Sequence, residues 1–223
     1  MARPKKGYYI DGVRVPGVTT ILSRFKESGG LIHWAWKLGI DGKDYRAERD
    51  AAADAGTIAH ALVEQYIHDE KPTVPAGTDK EVAKKARRAF KSYLEWEKRT
   101  QLEILEDKTF GRCTEVSLTS KSLMVGGTID AIGVIEGRVC LLDWKSSNGV
   151  YCDYILQLAA YVEIWNENNP GSRISNGGAE LIRFSKENAD FSHHHFEGFD
   201  DEIEAFRLMR RLYDLDKKIR KRV

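Results

Sequence analysis

The chain has 223 residues, 42% of them apolar and 31% charged, with a formal net charge of +1. That suits an ordinary globular protein with a sizeable core, and it excludes a globally polycationic nucleic-acid coat. No run of about 18 apolar residues occurs, so no membrane span is expected. Met1-Ala2-Arg3-Pro4-Lys5-Lys6 lacks an apolar signal core, so a cytoplasmic location is expected. Three cysteines at no short paired spacing, Cys113, Cys140 and Cys152, argue against a disulfide framework, a zinc knuckle or an iron–sulfur cluster.

In chain order, "GYYIDGVRV" reads as a small hairpin turning at Asp11-Gly12. A helix is expected to open between Pro16 and Thr19 and to break at Gly29-Gly30. Helical pieces follow, interrupted at Gly39 to Gly42. "TIAHALVEQYIHDE" has Ile58, Leu62, Val63 and Ile67 on one side, the spacing of an amphipathic helix. After the loop "KPTVPAGT", Asp79 to Thr100 reads as a long charged helix with Val82, Ala86, Phe90, Tyr93 and Trp96 along one face. The pattern then changes to strands: "LEILEDKTFG", "CTEVSLTS", and a hairpin in "GGTIDAIGVIEGRVCLLDWKSS". A helix from Val150 to Asn169, a strand pair in "GAELIRFSKENADFSHHHFEG" and a closing helix complete the chain. The closing helix starts acidic and ends basic, which suits its dipole. The fold class expected is α/β, a mixed central β-sheet flanked by helices. About 1–100 forms a mainly helical part, and about 101–223 holds the sheet and closing helix.

The hairpin carries the chemistry. If Glu136-Gly137 is a two-residue turn, Ile135 pairs with Arg138 and Asp130 falls opposite Asp143. Directly paired Cβ atoms lie about 4.5–5.5 Å apart, and period-2 alternation puts Lys145 on the face of Asp143. Two close carboxylates repel unless one is protonated or a cation lies between them. Oxygen ligands favour a hard ion, Mg²⁺ or Mn²⁺. A neighbouring lysine can orient a water and neutralise a phosphate, which together with a metal supplies phosphodiester hydrolysis. An ordinary Asp143–Lys145 salt bridge at a strand end explains D…DxK equally well when it stands alone.

More of the pattern lies around it. His60 and Glu64 are one helical turn apart in "GTIAHALVE", and Gln157 and Tyr161 are one turn apart after the hairpin. The ordered set G-T-x-x-H-x-x-x-E, E, G-G-T-I-D, D-W-K and Q-x-x-x-Y resembles the RecB-like exonuclease branch of the PD-(D/E)XK nuclease superfamily. The resemblance spans about residues 15–165 and implies a restriction-endonuclease-like core in a single nuclease domain, 1–223. It implies a Mg²⁺- or Mn²⁺-dependent deoxyribonuclease, an exonuclease of viral or prophage DNA replication, recombination or repair, in the host cytoplasm if viral. The partner implied is DNA, single- or double-stranded, with ends preferred.

The resemblance also implies roles. Asp130, Asp143 and the Trp144 carbonyl would hold metal, with His60 and Glu115 as further ligands and Lys145 as the catalytic lysine. Gln157 and Tyr161 would support the site and approach the DNA backbone, Ser146 and Ser147 would donate to phosphate, and Glu64 would orient His60 from behind or face solvent. A non-catalytic nucleic-acid-binding subunit, a sequence-specific endonuclease of the same fold and a hydrolase of small phosphoesters remain alternatives. Three features are read as structural. His193-His194-His195 alternates faces in a strand, so only His193 and His195 can cooperate. Trp34 and Trp36 are expected in the core, although an exposed one could stack on bases. The basic clusters Arg3 to Lys6, Lys84 to Arg88 and Lys217 to Arg222 read as solvated faces or frayed ends.

Overall fold

The computed structural model describes residues 4, 7–174, 178–188 and 190–222. Arg3, Lys5 and Lys6 of the first basic cluster lie outside the described residues. The first hairpin is present as β1 (Tyr8–Ile10) and β2 (Val13–Val15). Asp11 and Gly12 both take positive φ, 47° and 79°, as a two-residue primed turn requires. Helix α1 (Val18–Phe25) follows.

The expected break at Gly29-Gly30 is displaced. The chain leaves α1 at Lys26, and the two glycines form the first turn of α2 (Gly29–Ile40). The first N–H groups of a helix have no intrahelical acceptor in any case, so glycine interrupts little there. Trp34 and Trp36 are not in a core. No residue of α2 is buried, and Trp36 remains 60% exposed. Of the neighbouring elements among the described residues, α2 meets chiefly α3.

Helix α3 (Tyr45–Ile67) merges two stretches that the sequence suggested were separate. It runs through Gly56, where a β-carbon would lie 2.7 Å from Ser146 Oγ. That glycine answers to close packing rather than to a chain break. Helix α4 (Lys80–Thr100) is capped by Asp79, whose carboxylate accepts from the Glu81 and Val82 amides. Ala59 of α3 and Ala86 and Ala89 of α4 are buried, so the two helices approach closely.

The sheet is mixed, as expected. Its strands are β3 (Glu103–Ile104), β6 (Thr114–Ser120), β7 (Val125–Ile135), β8 (Arg138–Lys145), β9 (Ala179–Phe184) and β10 (Phe191–Phe196). A minor ribbon joins β4 (Glu106–Asp107) to β5 (Gly111–Arg112). The order is β10-β9-β8-β7-β3, with β6 also on β7; β8–β9 is parallel and the other pairs are antiparallel. Helix α5 (Cys152–Asn168) makes the crossover from β8 to β9, and α6 (Asp200–Arg220) closes the chain.

Two cores clasp the sheet. α1, α5 and α6 cover one face, with Ile21, Leu158, Trp165 and Phe206 buried. α3 and α4 cover the other, where Tyr93, Trp96, Trp144 and Phe184 form an aromatic cluster. Along β7, the side facing α5 changes phase. Val125 and Ile129 belong to the α5 core, but so does Ile132, while Ala131 and Ile135 belong to the α3–α4 core. The pleat reverses at Asp130. On β6 it reverses at Glu115: Cys113 and Val116 both face the α5 core, and Glu115 has φ 48°. These are paired bulge-like kinks, and they turn consecutive residues to one side. A left-handed non-glycine residue costs about 1–3 kcal/mol. One fully buried large apolar side chain, at about 1.5–3 kcal/mol, is enough to offset it.

Candidate active site

The β7–β8 register is the expected one. Glu136 and Gly137 take φ 51° and 74°, Ile135 pairs with Arg138, and the ladder runs to Ala131 opposite Leu142. The paired ladder stops there, and Asp130 and Asp143 come one step past its last rung; Glu115 on β6 and Asp130 on β7 lie between the paired rungs Thr114–Ala131 and Val116–Ile129. Three acids thus lie in a line across three strands. They are met in two overlapping groups that share Asp130, whose charge acts on Asp143 and Lys145 as well.

The first group faces α3. One donor atom each from His60, Glu115 and Asp130 lies within 4.8 Å of the others. His60 Nδ1 is 3.9 Å from Asp130 Oδ2, and that same oxygen accepts from the Trp144 amide at 2.8 Å. Removal from bulk water, and next the Lys145 ammonium, push the His60 imidazole down to about 4, against the Asp143 charge and a hydrogen bond to the Trp144 backbone carbonyl. His60 is therefore neutral at ordinary pH and can offer a lone pair. One imidazole and two carboxylates form a donor set that fits a divalent cation.

The second group faces α5. Asp143 is 1% exposed and forms an ion pair with Lys145. Gln157 bridges the pair: its amide donates to Asp143 Oδ1 at 3.1 Å, and its carbonyl accepts from Lys145 Nζ at 3.3 Å. Burial raises the Asp143 carboxyl to about 6; Lys145 opposes this and Asp130 adds to it. Burial also works against the Lys145 charge, but Asp143 and Asp130 outweigh it and hold the ammonium above its ordinary value. The Lys145 ammonium stands 4.9 Å from the Tyr154 ring centre, a cation–π contact that the sequence gave no reason to expect.

The remaining expected residues are placed as follows. Tyr161 is buried against Gly127, where a β-carbon would come within 2.6 Å of its ring, and it lines the cleft from below. Gly126 likewise yields to Tyr8. The paired glycines of "GGTID" are thus contact surfaces for two tyrosines. Glu64 is taken up elsewhere than at His60: it accepts from Thr114 Oγ1 at 2.8 Å and pairs with His68 at 3.1 Å. Ser146 and Ser147 line the cleft, but Ser147 Oγ already donates to the Gly149 carbonyl. His193 and His195 share a face, and each contacts the buried Glu180 carboxylate at 2.8 Å. That histidine run is a brace within the sheet.

A family model for the PD-(D/E)XK nuclease superfamily matches residues 9–221. The chain belongs to the PD-(D/E)XK nuclease superfamily. Among curated proteins none matches this nuclease. Among solved structures it is similar to the alkaline exonuclease LHK-Exo of Laribacter hongkongensis, at 12% identity and a TM-score of 0.40 over 76% of this chain and 87% of that one. Among the described residues of this nuclease, no helix is long and apolar enough to cross a membrane.

Proposed function

We propose that this nuclease is a deoxyribonuclease dependent on Mg²⁺ or Mn²⁺, acting as an exonuclease on DNA ends. A RecB-like role in viral or prophage DNA replication, recombination or repair accords with the motif set. The observation that carries the reading is the meeting, over one open cleft, of a three-donor cation set and a buried Asp143–Lys145–Gln157 unit.

His60, Glu115 and Asp130 would hold the cation, with Asp143 and the Trp144 carbonyl next to them. When bound, the metal supplies Lewis-acid polarisation of the phosphate and lowers the pKa of water. Lys145 stays protonated beside Asp143, so it orients the attacking water and balances phosphate charge. Gln157 holds that ammonium in place, and Tyr161 closes the floor behind it. Trp144 anchors Asp130 through its amide while its ring is locked among Tyr93, Trp96 and Phe184.

The test is digestion of 5′- and 3′-end-labelled single- and double-stranded DNA with Mg²⁺, Mn²⁺ or EDTA. Stepwise loss of nucleotides from one end, abolished by EDTA and by Asp143→Ala, is expected. DNA binding without any metal-dependent cleavage overturns the reading in favour of a binding subunit. Discrete internal fragments from circular DNA overturn the exonuclease assignment alone.

A further inference from the structure

The cleft has two arms that share His60, Asp130 and Lys145 at their junction. One arm, about 660 Å³, runs past Glu64, Glu115, Thr128 and Tyr161. The other, about 390 Å³, runs past Ser146, Ser147, Tyr154 and Lys186. A strand drawn through the junction lays successive phosphates in both. The arms differ in charge. The first adds two carboxylates to Asp130, so it accepts an anion only with a cation between them. The second adds no carboxylate, but it does add an ammonium.

Lys186 opens the turn from β9 to β10. That turn is held by the Ser185 amide donating to the Asp190 carbonyl, and by Ser185 Oγ accepting from the Glu187 and Asn188 amides. The Lys186 ammonium donates to the Ala52 carbonyl of α3 at 3.1 Å. A lysine has three donors, so this bond leaves two for a ligand. The adjacent Glu187 pairs with Lys85 at 3.2 Å, and among the described residues no carboxylate forms an ion pair with Lys186. The contrast is with Lys145, whose charge is met by Asp143 within the protein. Burial, then the Lys85 ammonium, holds Lys186 below the ordinary lysine value, with the Glu187 carboxylate acting the other way.

We infer that Lys186 binds a phosphodiester of the substrate strand next to the scissile one, fixing which arm of the cleft the strand enters. This rests on the nuclease reading above and assigns the arm a ligand, an anionic nucleic-acid backbone. A contact to a non-reacting phosphate strengthens binding equally in ground and transition states, so its loss appears in KM rather than in kcat.

The experiment compares the full chain with Lys186→Ala and Lys186→Arg, using a labelled single-stranded oligonucleotide and Mg²⁺ over a range of salt. Lys186→Ala is expected to raise KM about ten-fold with kcat held within about two-fold. It should also reduce the slope of log KM against log salt by about 0.7, one phosphate contact on a single strand. Lys186→Arg should restore both. Unchanged KM and salt slope in Lys186→Ala overturn the inference while the nuclease reading stands. A fall in kcat that arginine does not restore marks a purely structural lysine and overturns it too. Wild-type protein without metal-dependent hydrolysis removes both.

Discussion

The two halves of the candidate site solve the problem of charge in opposite ways. The Asp143–Lys145–Gln157 half is buried and self-compensated: each charge has a partner, and an amide spans the pair. The His60–Glu115–Asp130 half is partly open, gathers two acids around a neutral imidazole, and rests on a left-handed glutamate inside a strand. The first half is complete as folded. The second brings a neutral imidazole and two carboxylates within ligand distance at the cleft, where a cation would find three donors.

The largest effect comes from opening the compensated half. Lys145→Ala leaves Asp143 buried and unpaired, so unfolding free energy should fall by about 3–5 kcal/mol, and kcat by about 10³-fold. Denaturant titration and single-turnover kinetics read the two losses. Next comes the cation. With Mg²⁺ at about 100 times its dissociation constant, stability should rise by about 2.7 kcal/mol. That rise should vanish in Asp130→Asn and persist in Gln157→Ala, as thermal melts with and without EDTA would report. If Gln157→Ala abolishes it as well, the two halves are one.

Glu115→Gly sharpens the contrast at smaller scale. Glycine accepts the positive φ without strain, so metal-free stability should stay within about 1 kcal/mol of the parent. Activity should nonetheless fall by about a hundred-fold. A loss of both stability and activity would place Glu115 in the compensated class. The smallest effect lies outside both halves. Burial disfavours the Glu180 charge, but hydrogen bonds from His193 and His195 outweigh it and hold the carboxyl below its ordinary 4.5. A lowered carboxyl contributes stability above that value and loses it as pH falls below. Glu180→Gln should therefore flatten the acid limb of a stability–pH curve and leave cleavage at neutral pH unaltered.

Much of this arrangement is legible in the sequence, because local rules fix it. Glu136-Gly137 sets the hairpin register, helical spacing puts Gln157 and Tyr161 on one face, and the family resemblance points that face at the site. Other features escape because they depend on contacts distant along the chain. Nothing in the residue type of Glu115 signals a left-handed backbone, so the pleat reversals are invisible beforehand. Gly56 looks like a boundary until Ser146 is seen against it. Lys186 belongs to no motif, and only the fold brings its turn to α3. Trp34 and Trp36 carry the composition of a core, but among the described residues no element buries either of them.

The glycine pair before Asp130 has a mechanical meaning. Tyr8 lies over Gly126, its hydroxyl is 2.8 Å from Thr128 Oγ1, and the Gly126 amide donates to the Pro16 carbonyl. The amino-terminal hairpin is thereby riveted to β7 a few residues upstream of Asp130. Load applied to that hairpin, by a fused partner or by a nucleic acid dragged across it, is delivered to the strand that carries Asp130.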